Sequence, residues 1–395
     1  MKILFICKYL STSKNGMESR LATLIKYFKK NNYKVAAITS STSLKKIRFK
    51  NKYNLKIIDN VRYFFIEDFS RYSYYSLKRV WSWLSFEYYV FRFDHKKLSF
   101  IPDIIYVSSL SILTILNGIY LKKKFNAKLV FEMRDFWPFF LYRTGKFSKY
   151  NPFIMVLGLV ERIGIYYSDL IISLIPRINE YLKFRGFYKK KTFASTFPYD
   201  KKFFIKQKKI KIFKKKKYFN VCYAGNFGFD NYLEDLLNLI SFTKDKKFVF
   251  HFFGDGSQKI YLKKKFSYLK NVIFYDHIEY QNLHSILTQM DLLLVSFGFK
   301  NKYPLYGYEL NKLNNYLMSS KPILAIGSKK NLLTSRGDFI FITKNKPDIF
   351  EKKINYIIKN YNHFLNVAKK NKFKFIKRNN PNVIFNQTVE KLIAL

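Results

Sequence analysis

At 395 residues the chain is longer than one ordinary core accommodates and suits two domains of about 150 to 200 residues each. Apolar residues make up 48% of it, which excludes a disordered protein, while 73 Lys and Arg against 26 Asp and Glu give a formal charge of +47. A surplus of that sign attracts anions at long range, so an anionic membrane face, a nucleic acid and a phosphorylated substrate are the partner classes to weigh.

The amino terminus, "MKILFICKYLSTSKNG", predicts a buried strand, a glycine turn at Asn15 and Gly16, and then a helix from Met17 to Asn31. Its apolar run is too short for a signal peptide, so secretion is not expected. "KVAAITS" predicts the next strand. "SRYSYYSLKRVWSWLSFEYYVFRF", Ser70 to Phe93, mixes Arg and Lys with Trp, Tyr and Phe at helical spacing. Its first reading is a core-packed helix with basic ends, its second an interfacial helix lying on a membrane. "IIYVSSLSILTILNGIYL", Ile104 to Leu121, is uncharged and long enough to span a bilayer. Its serines, threonine, asparagine and glycine favour a strand, "DIIYVSS", followed by a helix, "LSILTILNGIYLKKKF". "AKLVFEMRD" and "DLIISLI" predict two more strands. Strands alternating with helices imply a parallel sheet with crossover helices, so the first half reads as a Rossmann-like α/β domain.

Between Tyr199 and Tyr218 the chain becomes basic without core periodicity, which reads as a solvated linker in preference to a nucleic-acid arm. The domain boundary is placed there: residues 1–199, joined by a terminal helix over 381–395, then residues 200–380. "NVCYAGNFG" restarts the strand, turn and helix order, and "KFVFHFFGDG", "NVIFYDHI", "DLLLVSF", "KPILAIG" and "DFIFIT" continue it. The only two cysteines, Cys7 and Cys222, fall inside apparent strands and read as inert core thiols in a reducing, cytoplasmic setting.

The turns at Gly225 and Gly228 and at Gly254 and Gly256 follow strands and precede helices, where backbone amides can face an anion. Neither completes G-x-G-x-x-G, and no G-x-x-x-x-G-K-[ST] occurs, which weakens a nicotinamide dehydrogenase and a P-loop enzyme. No H-x-x-x-H or G-x-S-x-G is present, so the expected chemistry uses no metal and no cofactor. In "GYELNKLNNYLMSSKPILAI", Gly307 frees the backbone and a helix opens on Asn311 and Lys312. The helix amino end supplies a partial positive charge and Lys312 a full one, together suited to a diphosphate; the plainer alternative is a solvated lysine.

The series "YAGNFG", "FFGDG", "NVIFYDHI", "DLLLVSF" and "YGYELNKLNNYLMSSKPILAIG", with "FEMRDFWP" in the first half, resembles the retaining GT-B glycosyltransferases of the large family-four group. The branch it is most similar to transfers amino sugars in bacterial surface-polysaccharide assembly. The resemblance implies two Rossmann-like domains facing across a cleft, an acceptor domain first and a nucleotide-sugar domain second. It implies metal-independent transfer, with retention, from a nucleotide diphosphate-sugar, usually UDP-linked, to a lipid-linked or other saccharide acceptor. Residue by residue, Gly225, Asn226, Gly228 and Gly254 match the donor-side glycine turns, and His277 and Ile278 the place where the nucleobase lies. Asn311 and Lys312 match an Asn-Lys pair, with Lys312 implied to stabilise the leaving diphosphate. Asn15, Gly16 and Asp135 would border the acceptor, Asp135 on a hydroxyl and Arg134 on a phosphate. Two family glutamates fall on Gly307 and Asn315, and Glu309 is out of register with them. Losing the second glutamate's charge-assisted bond to the ribose should weaken donor binding by about 1 kcal/mol.

Lipid-linked acceptors also make an anionic membrane surface an expected partner, with the protein peripheral on the inner face of the cytoplasmic membrane. A nucleic-acid-binding protein is the rival class, yet no binding module appears and the basic residues are spread along the chain, so no nucleic-acid partner is expected. A catalytically silent scaffold of the same fold is the second rival, suggested by Asn315.

Overall fold

The computed structural model describes residues 1–11, 20–43, 51–68, 77–109, 111–143, 147–199, 218–243, 247–299, 306–307, 310–327, 337–342 and 344–395; the side chains of Leu77 and Gln281 are also outside its description. Two compact units divide the chain, Met1–Pro198 with Pro381–Leu395, and Tyr199–Asn380.

In the first unit the strands are β1 (Lys2–Ile6), β2 (Lys34–Ser40), β3 (Tyr53–Ile58), β4 (Val61–Ile66), β5 (Ile104–Ser109), β6 (Lys128–Met133), β7 (Leu170–Ser173) and β8 (Thr192–Ala194). They form one sheet in the order β3-β4-β2-β1-β5-β6-β7-β8. Every neighbouring pair is parallel except β3 and β4, an antiparallel hairpin turned by Asp59 and Asn60, both at positive φ. That two-residue turn matches the strand twist and was not read from the sequence. The helices are α1 (Arg20–Lys30), α2 (Leu77–Phe91), α3 (Thr114–Phe125), α4 (Phe139–Arg143), α5 (Pro152–Tyr167) and α6 (Ile178–Phe184).

β1 to β4 run to one side of the sheet and β5 to β8 to the other, so the crossover helices cover both faces. α1 covers one face, with Phe28 against Phe5. α3 and α5 cover the other through glycines: a Cβ on Gly118 would lie 2.6 Å from Val107, and one on Gly164 2.8 Å from Ile115 and 3.3 Å from Phe131. Strands buried on both sides must be apolar throughout, which is why "KILFI" and "IIYVSS" read as continuous runs. The Ile104–Leu121 segment is therefore a buried strand and a separate helix. Among the described residues no helix is long and apolar enough to cross a membrane.

The second unit carries β9 (Phe219–Ala224), β10 (Phe248–Phe253), β11 (Val272–Tyr275), β12 (Leu292–Ser296), β13 (Ile323–Ile326) and β14 (Ile340–Ile342). All pairs are parallel, in the order β11-β10-β9-β12-β13-β14. Its helices are α7 (Leu233–Ser241), α8 (Lys259–Lys265), α9 (Tyr280–Leu287), α10 (Asn311–Met318), α11 (Pro347–Lys359) and α12 (Tyr361–Arg378). The chain then returns to the first unit as α13 (Pro381–Ile393), where Phe385 packs edge-on to Phe28 with ring centroids 5.1 Å apart. The basic stretch of residues 200–217, the acceptor-side turn at Asn15 and Gly16, and Glu309 lie outside the described residues.

Candidate functional site

In a doubly wound sheet, ligands settle outside the carboxyl ends of the strands where the order reverses. In the second unit that point lies between β9 and β12. β9 leaves the sheet through Gly225-Asn226-Phe227-Gly228, and the loop after β10 is knitted to it: Gly225 N donates to Phe253 O at 3.0 Å and Phe227 N to Asp255 O at 2.9 Å. The two loops touch backbone to backbone. A Cβ on Gly254, whose φ is 136°, would overlap the Gly225 carbonyl, and one on Gly256 would overlap the Asn226 side chain. Glycine is thus required at 254 by both φ and space.

α10 meets this loop with residues one turn apart. Tyr316 OH accepts from Ala224 N at 2.7 Å and donates to Ala224 O at 3.2 Å, clipping the helix to the end of β9. Lys312, one turn earlier, donates to the Tyr223 hydroxyl at 2.9 Å and to Asn231 Oδ1, and its ammonium stands 4.6 Å from the Tyr223 ring centroid. Tyr223 OH in turn donates to Asn226 O at 2.8 Å. A Cβ on Gly225 would lie 3.2 Å from Lys312 Nζ, so the ammonium sits against the glycine turn. Burial pushes the Lys312 pKa down to about 8, opposed by the charge of Asp230. Both hydrogen-bond partners of this ammonium are neutral oxygens, so its charge is not matched within the pair of contacts that hold it.

Lys312, Gly225, Asn226, Gly228 and Gly254 thus form one cluster; a Cβ on Gly228 would lie 3.0 Å from Asn226 Nδ2. Asn311 is exposed at the first position of α10, whose N-cap, Leu310, makes no side-chain capping bond. Gly307 is buried at φ 102°. His277 is exposed, while Ile278 packs with Leu310 against the core that contains Leu313 and Tyr316. Asn315, in the second glutamate's place, is buried, and its Oδ1 accepts from Tyr280 OH at 3.0 Å. Burial pushes the Tyr280 hydroxyl up to about 12, so it stays a donor.

In the first unit the order reverses between β1 and β5. Arg134 and Asp135 follow β6 and are partly buried, with Arg134 N donating to Ser109 Oγ at 3.3 Å at the end of β5. The same unit buries two ion pairs that sequence reasoning missed. Lys8 Nζ pairs with Asp68 and donates to Ser82 O at 2.8 Å; burial lowers its pKa and Asp68 opposes the shift. Arg20 pairs with Glu132, which also accepts from Tyr106 OH at 2.6 Å and Ser108 Oγ at 2.9 Å. Burial works against the Arg20 charge, but Glu132 and Tyr106 outweigh it and its pKa is raised. The signal for Glu132 was present as a carboxylate inside the apolar run "LVFEM". Cys7 and Cys222 are free and buried, burial pushing Cys7 up to about 11 and Cys222 higher still. Among the described residues no group of three His, Cys, Asp or Glu side chains is placed to hold a metal ion.

Two Rossmann-like units in tandem define the GT-B fold. No protein-family model and no curated protein sequence matches the chain. Solved structures do. The chain is similar over 100% of its length to sucrose-phosphate synthase from Thermosynechococcus elongatus, with 13% identity, 99% of that chain covered and a TM-score of 0.76. It is similar over 100% of both chains to Anabaena HepE in complex with UDP and glucose, at 13% identity and a TM-score of 0.68. A third is the lipopolysaccharide outer core galactosyltransferase WaaB, at 15% identity, with 100% and 99% of the two chains covered and a TM-score of 0.55. At these identities the likeness shows the GT-B fold.

Proposed function

We propose that the protein is a metal-independent glycosyltransferase that moves a sugar, with retention, from a UDP-linked donor to a saccharide acceptor carried on a lipid. The carrying observation is Lys312, an ammonium held by neutral oxygens against the Gly225 turn at the switch point of the second unit. A diphosphate fits there because it brings the missing negative charge and can accept from the turn's backbone amides. HepE, similar in fold, has been solved with UDP and with UDP-glucose, which supports a uridine donor.

In this reading an acceptor hydroxyl oxygen bonds to the anomeric carbon while the bond from that carbon to the diphosphate oxygen breaks. The hydroxyl proton passes to the leaving diphosphate oxygen on the same face, and UDP departs. Lys312 and the turn amides stabilise the charge that grows on the diphosphate. Ile278 and the backbone of His277 border the base, and Asn315 offers its amide hydrogens to the ribose. In the first unit Asp135 and the turn at Asn15 and Gly16 meet the acceptor, Asp135 on a hydroxyl, and Arg134 meets a phosphate. The family-four branch that transfers amino sugars in surface-polysaccharide assembly is the finer assignment, with the protein working at the cytoplasmic membrane face.

Titration calorimetry with UDP, followed by proton NMR of a panel of UDP-sugars incubated with acceptor mixtures, tests this. Saturable UDP binding and an α-linked product from an α-linked donor are expected; absence of UDP binding would end the reading. One observation favours a second reading, a silent scaffold: Asn315 stands in a glutamate's place with its acceptor oxygen occupied. Asn315→Glu separates the two, since a live site gains UDP affinity and a decayed one does not.

A further inference from the structure

α5 reads PFIMVLGLVERIGIYY, apolar on every side, and a helix of that composition is ordinarily buried all round. Its inner side is buried through Ile154, Leu157 and Ile165. Its outer side is open, with Met155, Val156 and Leu159 exposed by 59%, 57% and 59%. α2 repeats the pattern: Trp83, Phe86 and Val90 are buried, while Trp81, Leu84, Tyr88 and Phe91 recur at successive turns on the exposed side. α3 lies between them in the same layer. Phe91 of α2 meets Tyr120 of α3 with ring centroids 4.9 Å apart, and Lys123 of α3 stands 5.6 Å from the Tyr167 ring of α5. The exposed sides of the three helices therefore adjoin, where apolar residues on a monomer are ordinarily exposed singly.

Charge says what covers it. The three helices contain two carboxylates, Glu87 and Glu161. Both turn inward, Glu87 onto Thr114 and Asn117, Glu161 onto Arg185 and Tyr181. Of the cations, Lys122 is paired with Asp169, whereas Lys124 is exposed 5.7 Å from the Tyr120 centroid and Lys149, just before α5, is exposed 4.7 Å from that of Tyr150. Aliphatic residues flanked by Tyr, Trp and Lys are the composition of a surface that rests at the level of lipid headgroups. A second copy would bring the same lysines face to face, and a nucleic acid would leave Met155, Val156 and Leu159 uncovered.

We propose that the outer face of α2, α3 and α5 docks on an anionic phospholipid bilayer. Its aliphatic and aromatic side chains enter the acyl boundary, and Lys123 and Lys124 meet lipid phosphates. The inference goes beyond the transfer reaction and does not depend on it, since docking is measured with neither donor nor acceptor present. Sedimentation of the full chain with phosphatidylcholine vesicles, with and without phosphatidylglycerol, is the experiment. Binding is expected only with phosphatidylglycerol, accompanied by a blue shift in tryptophan emission that Trp81→Phe removes. The double variant Met155→Glu, Leu159→Glu should bind at least about tenfold more weakly. Lys123→Glu with Lys124→Glu should also weaken binding and flatten its salt dependence. These positions are exposed, and an unchanged melting temperature and circular-dichroism spectrum check that the variants fold. Four results overturn the proposal: no binding to phosphatidylglycerol vesicles, equal binding to pure phosphatidylcholine, full binding by the glutamate double variant, or a dimer in sedimentation equilibrium that the same double variant dissociates.

Discussion

Lys312→Met is the most informative substitution, because it keeps the stem and removes the charge. In the free protein the ammonium titrates at about 8 rather than the ordinary 10.5, chiefly through burial, with Asp230 opposing. A bound diphosphate that restored the ordinary value would recover the free energy of that shift, about 2 kcal/mol once solvent screening of a partly buried group is allowed for. This corresponds to roughly thirtyfold in affinity. The sign follows from linkage: the anion binds the protonated form, so UDP affinity is flat below pH 8 and falls as the pH rises above it. Titration calorimetry with UDP from pH 7 to about 9.5 reads both effects. The methionine variant should bind roughly thirtyfold more weakly at pH 7 and lose the fall above pH 8. Tyr223→Phe, which takes away one neutral partner of the ammonium, should bind UDP with little loss. Equal affinity of parent and methionine variant, or the same decline with pH in both, would refute the assignment of Lys312 to the phosphate.

Gly254→Ala must relieve a positive φ and an overlap with the Gly225 carbonyl, so a loss of about 2 to 4 kcal/mol is expected, read as a lowered melting temperature; a variant melting with the parent contradicts the knitted loops. Glu87 is raised from 4.5 to about 7 by burial, against the hydrogen bonds of Thr114, Asn117 and Ser111 and the charge of Lys8. Its protonated form is favoured by folding, so its contribution is complete below pH 4.5 and is lost as the pH rises through 7. Glu87→Gln should remove about 2 to 3 kcal/mol of that pH dependence in urea unfolding, leaving the part due to Glu161, raised to about 7 by the same cause; unchanged pH dependence would show that Glu87 does not titrate in this window. Salt should separate the two proposed anion sites: vesicle binding by exposed lysines should fall steeply as ionic strength rises, and UDP binding at the half-buried Lys312 less steeply. Equal slopes would mean that one surface serves both.

The strands were legible because a parallel strand covered on both faces must be apolar throughout, and "NVCYAGN" or "DLLLVSF" has no other stable use. The opening of α10 at Asn311 was legible for the same local reason, its glycine, polar first turn and apolar spacing. What Lys312 touches was not, since Tyr223 and Asn231 lie 89 and 81 residues earlier in the chain. The same distance hid Arg20 on Glu132, 112 residues apart, and Tyr280 on Asn315, 35 apart. A buried polar side chain announces that it needs a partner but not which one, and the topology of the sheet makes that choice. The open face of α5 has the opposite cause: its sequence is uniformly apolar, so nothing in its periodicity distinguishes the side that meets Phe131 from the side that meets none of the core.

The cations of this basic chain therefore do not all act alike. Lys8 and Arg20 are deeply buried and matched by Asp68 and Glu132, and removing either carboxylate would strand a charge at a cost of about 3 to 5 kcal/mol. Such cations hold the first unit together and have nothing left for a ligand. Lys123 and Lys124 are exposed beside aromatic rings, where water screens them, so on the proposed reading they act together on an extended anion and weakly on a small one. Lys312 combines a half-buried position with neutral hydrogen-bond partners, which hold its ammonium in place without a carboxylate in direct contact. A compact dianion needs that combination, because a fixed cation loses no side-chain entropy on binding and faces less competition from water. Composition alone could attract UDP to the protein; on the proposed reading, the hydrogen bonds of Tyr316 with Ala224, which clip α10 to the end of β9, would set where on it the diphosphate stops.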